Sequence, residues 1–132
     1  MKLTVHIETI PHADQRYSTA GDWFIKDGVL EIRASEMDDQ QHSALIILHE
    51  LVEALVTSAG DVDALPKLAE ITDEFDTRHK DYGEPGFRPD CPYYEGHAIA
   101  TVVEHLAAMS WGTNWNDYEE EVDDLTTNVS IE

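Results

Sequence analysis

Cysteine and long apolar runs are nearly absent from this sequence of 132 residues. Cys91 is the only cysteine, so the chain cannot form a disulfide within itself, and this composition fits a reducing compartment such as the cytoplasm. No stretch approaches the roughly 18 consecutive apolar residues that a membrane-spanning helix needs. Residues 1–10 also lack the apolar core of a signal peptide. These absences predict a soluble cytoplasmic protein without a membrane segment.

Positive charge is scarce as well. The chain has 8 Lys and Arg against 28 Asp and Glu, a formal net charge of −20, and no Lys or Arg occurs in residues 89–132. Such a chain repels a phosphate backbone, so direct nucleic-acid binding is not expected. Strong negative charge instead attracts cations, and it can imitate the phosphate array that a DNA-binding protein recognises. We therefore expect a divalent metal, or a protein partner, as the ligand.

The first third of the chain has the pattern of a small sheet. Leu3, Val5 and Ile7 alternate with polar residues, which is the period of a strand with one buried face. Asp27-Gly28 separates two further apolar runs, and Asp-Gly in that place is typical of a two-residue β-hairpin. We predict a small antiparallel sheet within residues 1–35.

The remainder, residues 36–132, carries helical signals. Caps, prolines and apolar spacing predict three main helices and a short fourth one. Their expected extents are about Glu36–Ser58, Asp63–Lys80 and Pro92–Ser110, with the short helix capped by Asn114. A Pro- and Gly-rich loop, residues 81–96, follows the second helix, and loops of this length usually cover a site. Because strand signals precede helix signals, we expect a single α+β domain over residues 1–132, with the antiparallel sheet packed on the three main helices.

The first predicted helix carries the chemistry. From residue 44 to residue 56 every position is apolar except His49, Glu50 and Glu53, and a helix that is apolar nearly all round is buried. Burying an unpaired carboxylate is costly or keeps it protonated. Because His49 and Glu53 are one turn apart, both can bind one divalent cation, with Glu50 beside it. The alternative is that these residues pair with Arg side chains or with backbone groups. The whole chain has only 8 Lys and Arg for such pairs.

This pattern resembles the His-Glu-x-x-His helix of zincin-type metallopeptidases, in which two histidines bind zinc and the intervening glutamate activates a water molecule. The resemblance implies a zincin-like fold and a zinc-dependent hydrolase, such as a peptidase. His49 matches the first zinc ligand and Glu50 the catalytic base. Glu53 stands where that family has its second histidine. A carboxylate also binds zinc but favours harder metals, so we expect zinc or another divalent ion.

A zinc site needs at least one more protein ligand. His97 and Glu104 are seven residues apart on one face of the third predicted helix, where small residues let it approach the first helix closely. We prefer His97 as the third ligand, against the alternative of a solvent-exposed histidine at a helix start. The zincin resemblance implies Asp76 as a rival, because in that family a carboxylate often follows the His-Glu helix by one helical hairpin. Glu104 and the loop residue Cys91 are further candidates.

A wider resemblance covers most of the last two-thirds of the chain. Residues 49–54, 83–93 and 97–104 are similar to small phage and prophage proteins, in which a His-Glu-x-x-Glu-Ala helix precedes a Gly-Glu-Pro-Gly loop and a helix with a histidine. This resemblance implies a phage-type protein but no particular substrate.

Two other functions fit the sequence. An acidic interaction protein can hold a metal only as a structural staple, or mimic the charge of DNA to occupy a host protein. Alternatively, Glu50-x-x-Glu53 followed by Glu70-x-x-Asp73 resembles the acidic magnesium-binding helices of all-α nucleoside triphosphate pyrophosphatases, which leaves His49 without a role. Glu50 separates the first two functions, because hydrolysis needs a carboxylate beside the ligands and a structural site does not.

Overall fold

The described part of the chain forms a three-stranded sheet followed by four α-helices. A computed structural model describes residues 2–79 and 84–131, with residues 127–131 as backbone only. The strands are β1 (Val5–Ile10), β2 (Gly21–Lys26) and β3 (Val29–Ser35). The helices are α1 (Gln40–Thr57), α2 (Leu65–His79), α3 (Tyr94–Trp111) and α4 (Trp115–Ile131). The predicted α+β class with a small N-terminal sheet is confirmed.

The sheet is mixed, with the strand order β1-β3-β2. β2 and β3 form the predicted antiparallel hairpin, and Asp27 (φ 51°) and Gly28 (φ 77°) supply the positive φ values that its tight turn needs. β1, however, pairs with β3 in parallel, so the prediction of a wholly antiparallel sheet was wrong. Residues 11–20 carry the chain past the end of β3 to the far edge, and β3 then returns between the other two strands. Residue alternation does not give the direction of a neighbouring strand, and in β1 it did not mark a buried face either, since Ile7 is 46% exposed.

α1 begins later than predicted. Asp39 caps it, since its carboxylate accepts a hydrogen bond from the Gln41 backbone N–H at 2.8 Å. Ser35, which the sequence suggested as the start of a capping box, is the last residue of β3, and its hydroxyl lies 2.8 Å from the His12 ring. Ser35 therefore belongs to the strand, and α1 starts after Asp39, the residue that caps it.

The other helices differ from prediction mainly at their ends. The predicted end of the second helix, Lys80, lies outside the described residues, as do residues 81–83 of the Pro- and Gly-rich loop. α3 starts at Tyr94, two residues after Pro92. The fourth helix is not short: it has 17 residues, because Trp115, Tyr118 and Val122 pack on the core beside Leu45. Among the described helices none alone is long and apolar enough to cross a membrane; α1 reaches that length only with the segment Val62–His79, to which it is bent by 96°.

The two 18-residue helices, α1 and α3, pack closely at Gly96. A Cβ atom there would lie 2.5 Å from the Thr57 hydroxyl oxygen and 2.9 Å from the Glu53 carbonyl oxygen. Ala100 and Ala108 continue the same buried face of α3. On its other sides α1 contacts β2 and β3, so the ionisable residues of α1 lie between the sheet and α3.

Gly96→Ala tests this close approach. An added methyl group overlaps backbone as well as side-chain atoms, so we expect a net loss of about 1–3 kcal/mol in the free energy of unfolding, although Ala favours helix formation by about 1 kcal/mol over Gly. Denaturant titration measures the change. The control is Glu95→Ala, at the exposed neighbouring position, which should change stability by less than about 1 kcal/mol. A Gly96→Ala protein as stable as the wild type would contradict the packing.

Candidate metal centre

Three side chains from α1 and α3 converge on one point. His49 and Glu53 are one turn apart on α1, and His97 lies near the start of α3. His49 Nε2 is 3.2 Å from Glu53 Oε2 and 3.2 Å from His97 Nδ1, and His97 Nδ1 is 3.1 Å from Glu53 Oε2. All three residues are at most 9% exposed. They are the group of described residues whose donor atoms are spaced closely enough to hold a metal ion, and we call them the triad.

The triangular arrangement of the triad is difficult to satisfy with protons alone. Hydrogen bonds from His49 and His97 favour the ionised form of Glu53. With that carboxylate ionised, every placement of protons on the two histidine nitrogens leaves an edge of the triangle that brings together two lone pairs or two N–H groups. A single cation contacts all three atoms. Tetrahedral zinc binds nitrogen and oxygen at about 2.0–2.1 Å, which separates its ligands by about 3.3 Å. The observed 3.1–3.2 Å separations fit such an ion, with a fourth coordination position left for water.

Further hydrogen bonds orient the triad from behind. His49 Nδ1 lies 2.6 Å from Glu104 Oε1, and the Tyr118 hydroxyl donates to the other Glu104 oxygen. The Trp23 indole N–H donates to Glu53 Oε1 at 2.9 Å. A carboxylate behind a histidine and a donor behind a carboxylate are typical of the surroundings of metal ligands, because they fix the ring tautomer and turn the free atom to the ion.

The carboxylates around His49 need a positive charge close to them. Burial lowers the pKa of His49, but its hydrogen bonds to Glu104 and Glu53 and the charge of Glu50 raise that pKa to about 11. Burial likewise opposes ionisation of Glu53, yet hydrogen bonds from His49 and His97 lower its pKa. A proton on His49 therefore supplies the charge that the carboxylates require. A divalent cation can supply it instead and releases that proton.

Glu50 stands beside the triad without a partner of its own. It is 9% exposed, lines the adjacent cavity and makes no side-chain hydrogen bond within the part of the chain that the structure describes. Burial and the neighbouring Glu53 carboxylate raise its pKa well above the usual range. Gly21 leaves room for it, since a Cβ atom on Gly21 would lie 2.5 Å from Glu50 Oε1. The carboxylate is thus free to interact with whatever enters the cavity.

The cavity between the triad and α2 has a volume of about 50 Å³. This is room for about three to five water molecules. Asp76 lies on its wall, outside the triad, and accepts a hydrogen bond from the Tyr93 hydroxyl at 2.6 Å. Asp22 lies on the wall too and is bound by Arg16 at 2.7 and 2.9 Å. The cavity therefore takes a small polar group rather than a large side chain.

The remaining candidates lie apart from the triad. Glu104 lies behind His49 instead of facing the triad. Cys91 packs with Phe75 and Tyr93, and burial raises the pKa of its thiol to about 12. Gly83, in the loop of the phage-like pattern, lies outside the described residues.

The structure does not join the two acidic pairs of α1 and α2. Glu70 is exposed, with 74% of its side chain accessible, and Asp73 binds Arg16. Glu50 and Glu53 line the cavity, whereas Glu70 and Asp73 do not.

Several residues around the cavity were not anticipated from the sequence. Trp23, Tyr93 and Tyr118 each donate a hydrogen bond to a carboxylate of the cluster or the cavity wall. Aromatic residues with a polar end usually find such partners when buried, but the sequence does not say which carboxylate each one meets.

Comparisons with protein-family models, with curated proteins and with solved structures give no match. The similarities to zincins and to phage proteins therefore stay predictions. The chemistry of the cluster follows from its own side chains.

Asp76→Asn should stabilise the protein above neutral pH. Burial raises the pKa of Asp76 from 3.8 to about 7, helped by the nearby Glu84 carboxylate and opposed by the Tyr93 hydrogen bond. The folded chain thus holds this proton more tightly than the unfolded chain. Its stabilising effect is complete below pH 3.8 and is lost as the pH rises through about 7. Asn stays neutral and still accepts from Tyr93.

Thermal unfolding with a chelator present measures this effect. At pH 8 the variant should melt a few degrees above the wild type, and the difference should vanish near pH 4. Asp90→Asn is the control, because Asp90 is exposed and Arg88 lowers its pKa, so no stabilisation at pH 8 is expected. An equal effect of Asp76→Asn at both pH values would mean that this carboxyl group titrates normally.

Proposed function

We propose that this protein is a zincin-like, metal-dependent hydrolase in which His49, Glu53 and His97 hold one zinc ion and Glu50 is the general base. The observation that carries the proposal is a triangle of three donor atoms within 3.2 Å of one another, beside a buried carboxylate that has no partner in the described chain. Three protein ligands and one open position are typical of catalytic zinc sites, whereas structural sites usually have four protein ligands.

When bound, a divalent ion lowers the pKa of a water molecule and polarises the bond to be cleaved. Glu50 would accept a proton from the attacking water molecule as the water oxygen bonds to the substrate carbonyl carbon. Glu50 then gives the proton to the leaving group. For an amide, the C–N bond breaks and the amine leaves with this proton. The Glu50 carboxyl group suits the role because it lines the cavity beside the triad and makes no side-chain hydrogen bond within the described residues.

The two nitrogens and one oxygen of the triad favour zinc but also bind harder ions. Two imidazole nitrogens are well suited to zinc, and the Glu53 oxygen is a ligand that manganese also accepts. The hydrogen bond from Trp23 holds the second Glu53 oxygen, which favours binding of the ion through one oxygen only. A cavity of about 50 Å³ supports a substrate of which only the scissile group and its nearest atoms enter. The reducing cytoplasm, where Cys91 stays a thiol, is the proposed compartment.

A second candidate function is an acidic interaction protein in which the metal is structural. The same small cavity favours it, because a closed structural site needs no more space. The net charge of −20 is consistent with a cationic protein partner and with the absence of direct nucleic-acid binding. The pyrophosphatase alternative is not proposed, because Glu70 and Asp73 do not line the cavity.

His49→Ala should abolish stoichiometric zinc binding. The wild type should bind about one zinc per chain and gain stability from it, by about 2.7 kcal/mol at a free zinc concentration one hundred times Kd. Elemental analysis after dialysis and thermal unfolding with and without zinc measure both effects. His42→Ala is the matched control: His42 is on the same helix, is 6% exposed and binds Glu121, but it lies outside the triad. Wild-type protein without stoichiometric zinc, manganese or nickel would refute the metal site.

Glu50→Gln should keep the metal and lose turnover. Gln preserves the size of the side chain but cannot accept the proton, so activity found in a screen of peptide, ester and amide substrates should fall by about 100- to 10,000-fold. Glu70→Gln, at an exposed position of α2, should retain full activity. Loss of metal in Glu50→Gln would make Glu50 a ligand, and unchanged activity would remove it from the mechanism. A metal-loaded wild type that is inactive on every substrate would favour the structural alternative.

A further inference from the structure

α2 contributes two polar residues to the cavity wall that metal binding by the triad does not explain. Thr72 and Asp76 are one turn apart on the buried side of that helix, and both line the cavity. Neither belongs to the triad. We call these two residues the α2 pair.

Thr72 has an unsatisfied hydroxyl group. The residue is 3% exposed, and its Oγ1 atom is buried with no hydrogen-bond partner among the described residues. Leaving a buried polar group unpaired is costly, and native structures contain few such groups. A hydroxyl in this condition on a cavity wall is explained by a ligand with which it exchanges a hydrogen bond.

Asp76 adds a carboxylate to the same wall. One of its oxygens, Oδ1, accepts from the Tyr93 hydroxyl at 2.6 Å, while no described side chain donates to the other oxygen. Acidic residues outnumber cationic ones on the cavity wall as a whole. Asp22, Glu50, Glu53, Asp76 and Glu84 line the cavity together with His49 and His97, and none of the described residues that line it is Lys or Arg.

One divalent ion on the triad does not neutralise this excess. The ion compensates Glu53 and one further carboxylate, and Arg16 compensates Asp22. Within the described part of the chain, neither Asp76 nor the capping residue Glu84 is paired with a Lys or Arg side chain. A substrate with negative charge is therefore disfavoured, and one with positive charge is attracted.

We propose that the α2 pair is a recognition subsite for a protonated amine, so that the substrate carries an ammonium group a few bonds from the bond that is cleaved. The ammonium group donates to the free Asp76 oxygen and to Thr72 Oγ1, and both acceptors gain the partner that they lack in the chain itself. This proposal rests on the proposed function, because it places the substrate between the triad and α2.

Two hydroxamates of nearly the same shape test the subsite. Butyrohydroxamate and β-alanine hydroxamate bind zinc through the same group, but β-alanine hydroxamate ends in ammonium where the other ends in methyl. Calorimetric titration of the zinc-loaded protein at pH 7 gives both dissociation constants. We expect β-alanine hydroxamate to bind tighter by roughly tenfold or more, as for a charge-assisted hydrogen bond.

Two variants locate the preference. Asp76→Asn keeps the acceptor for Tyr93 and removes the charge, and Thr72→Val removes a hydroxyl that has no partner to lose. Each should reduce the preference to about threefold or less, while butyrohydroxamate binds as to the wild type. Thr57→Val is the matched control, because the Thr57 hydroxyl is also buried and unpaired but does not line the cavity. That variant should keep the full preference.

The outcomes separate this proposal from the proposed function. If butyrohydroxamate binds and β-alanine hydroxamate binds no tighter, the amine subsite is refuted and the metal site stands. A preference that survives in both α2 variants refutes it as well. Two zinc ions per chain, falling to one in Asp76→Asn, would show that the α2 pair binds a second metal instead of an amine. If zinc binds but neither hydroxamate does, the ion has no open position, and both proposals fail.

Discussion

The rest of the structure depends on the hydrogen bonds that hold His49 between Glu104 and Glu53. They place two carboxylates and an imidazole in the contact between α1 and α3, at 9% exposure or less. Uncompensated, such groups would force the helices apart to reach water. They compensate one another when His49 carries a proton, and a cation that replaces this proton can supply the same charge. The close approach of the helices at Gly96 and the orientation of Trp23 both serve this arrangement.

The helical part of the site was predictable because its pattern lies within single elements. An apolar helix with three ionisable residues on one side identified His49, Glu50 and Glu53. Small residues on the same face of the third predicted helix as His97 indicated that this helix comes close to the first one. These inferences need only the period of a helix. The structure brings His97 to His49 and Glu53 and leaves Asp76 on the cavity wall, outside the triad.

What could not be predicted involves choices between distant partners. The parallel pairing of β1 with β3 depends on where residues 11–20 cross the sheet. The alternation of apolar and polar residues does not indicate that path. The start of α1 was misplaced because Ser35 is suited both to cap a helix and to end a strand. Its contact with His12, 23 residues away, could not be predicted. Likewise, nothing local to Trp23 or Tyr118 indicates the glutamates that they meet 30 and 14 residues away.

The hydrogen bond from Tyr118 to Glu104 has a consequence for the C-terminal helix. It makes α4 the outermost link of a chain that runs through Glu104 to His49 and ends at the triad. In the proposed metal-bound form, the docking of α4 and the affinity of the triad for the ion would be thermodynamically coupled, and such coupling is reciprocal. A ligand that favours the docked position of α4 would then raise the affinity for the ion by the same factor by which the ion raises the affinity for that ligand. The acidic surface of α4 would thereby communicate with a centre that it does not touch.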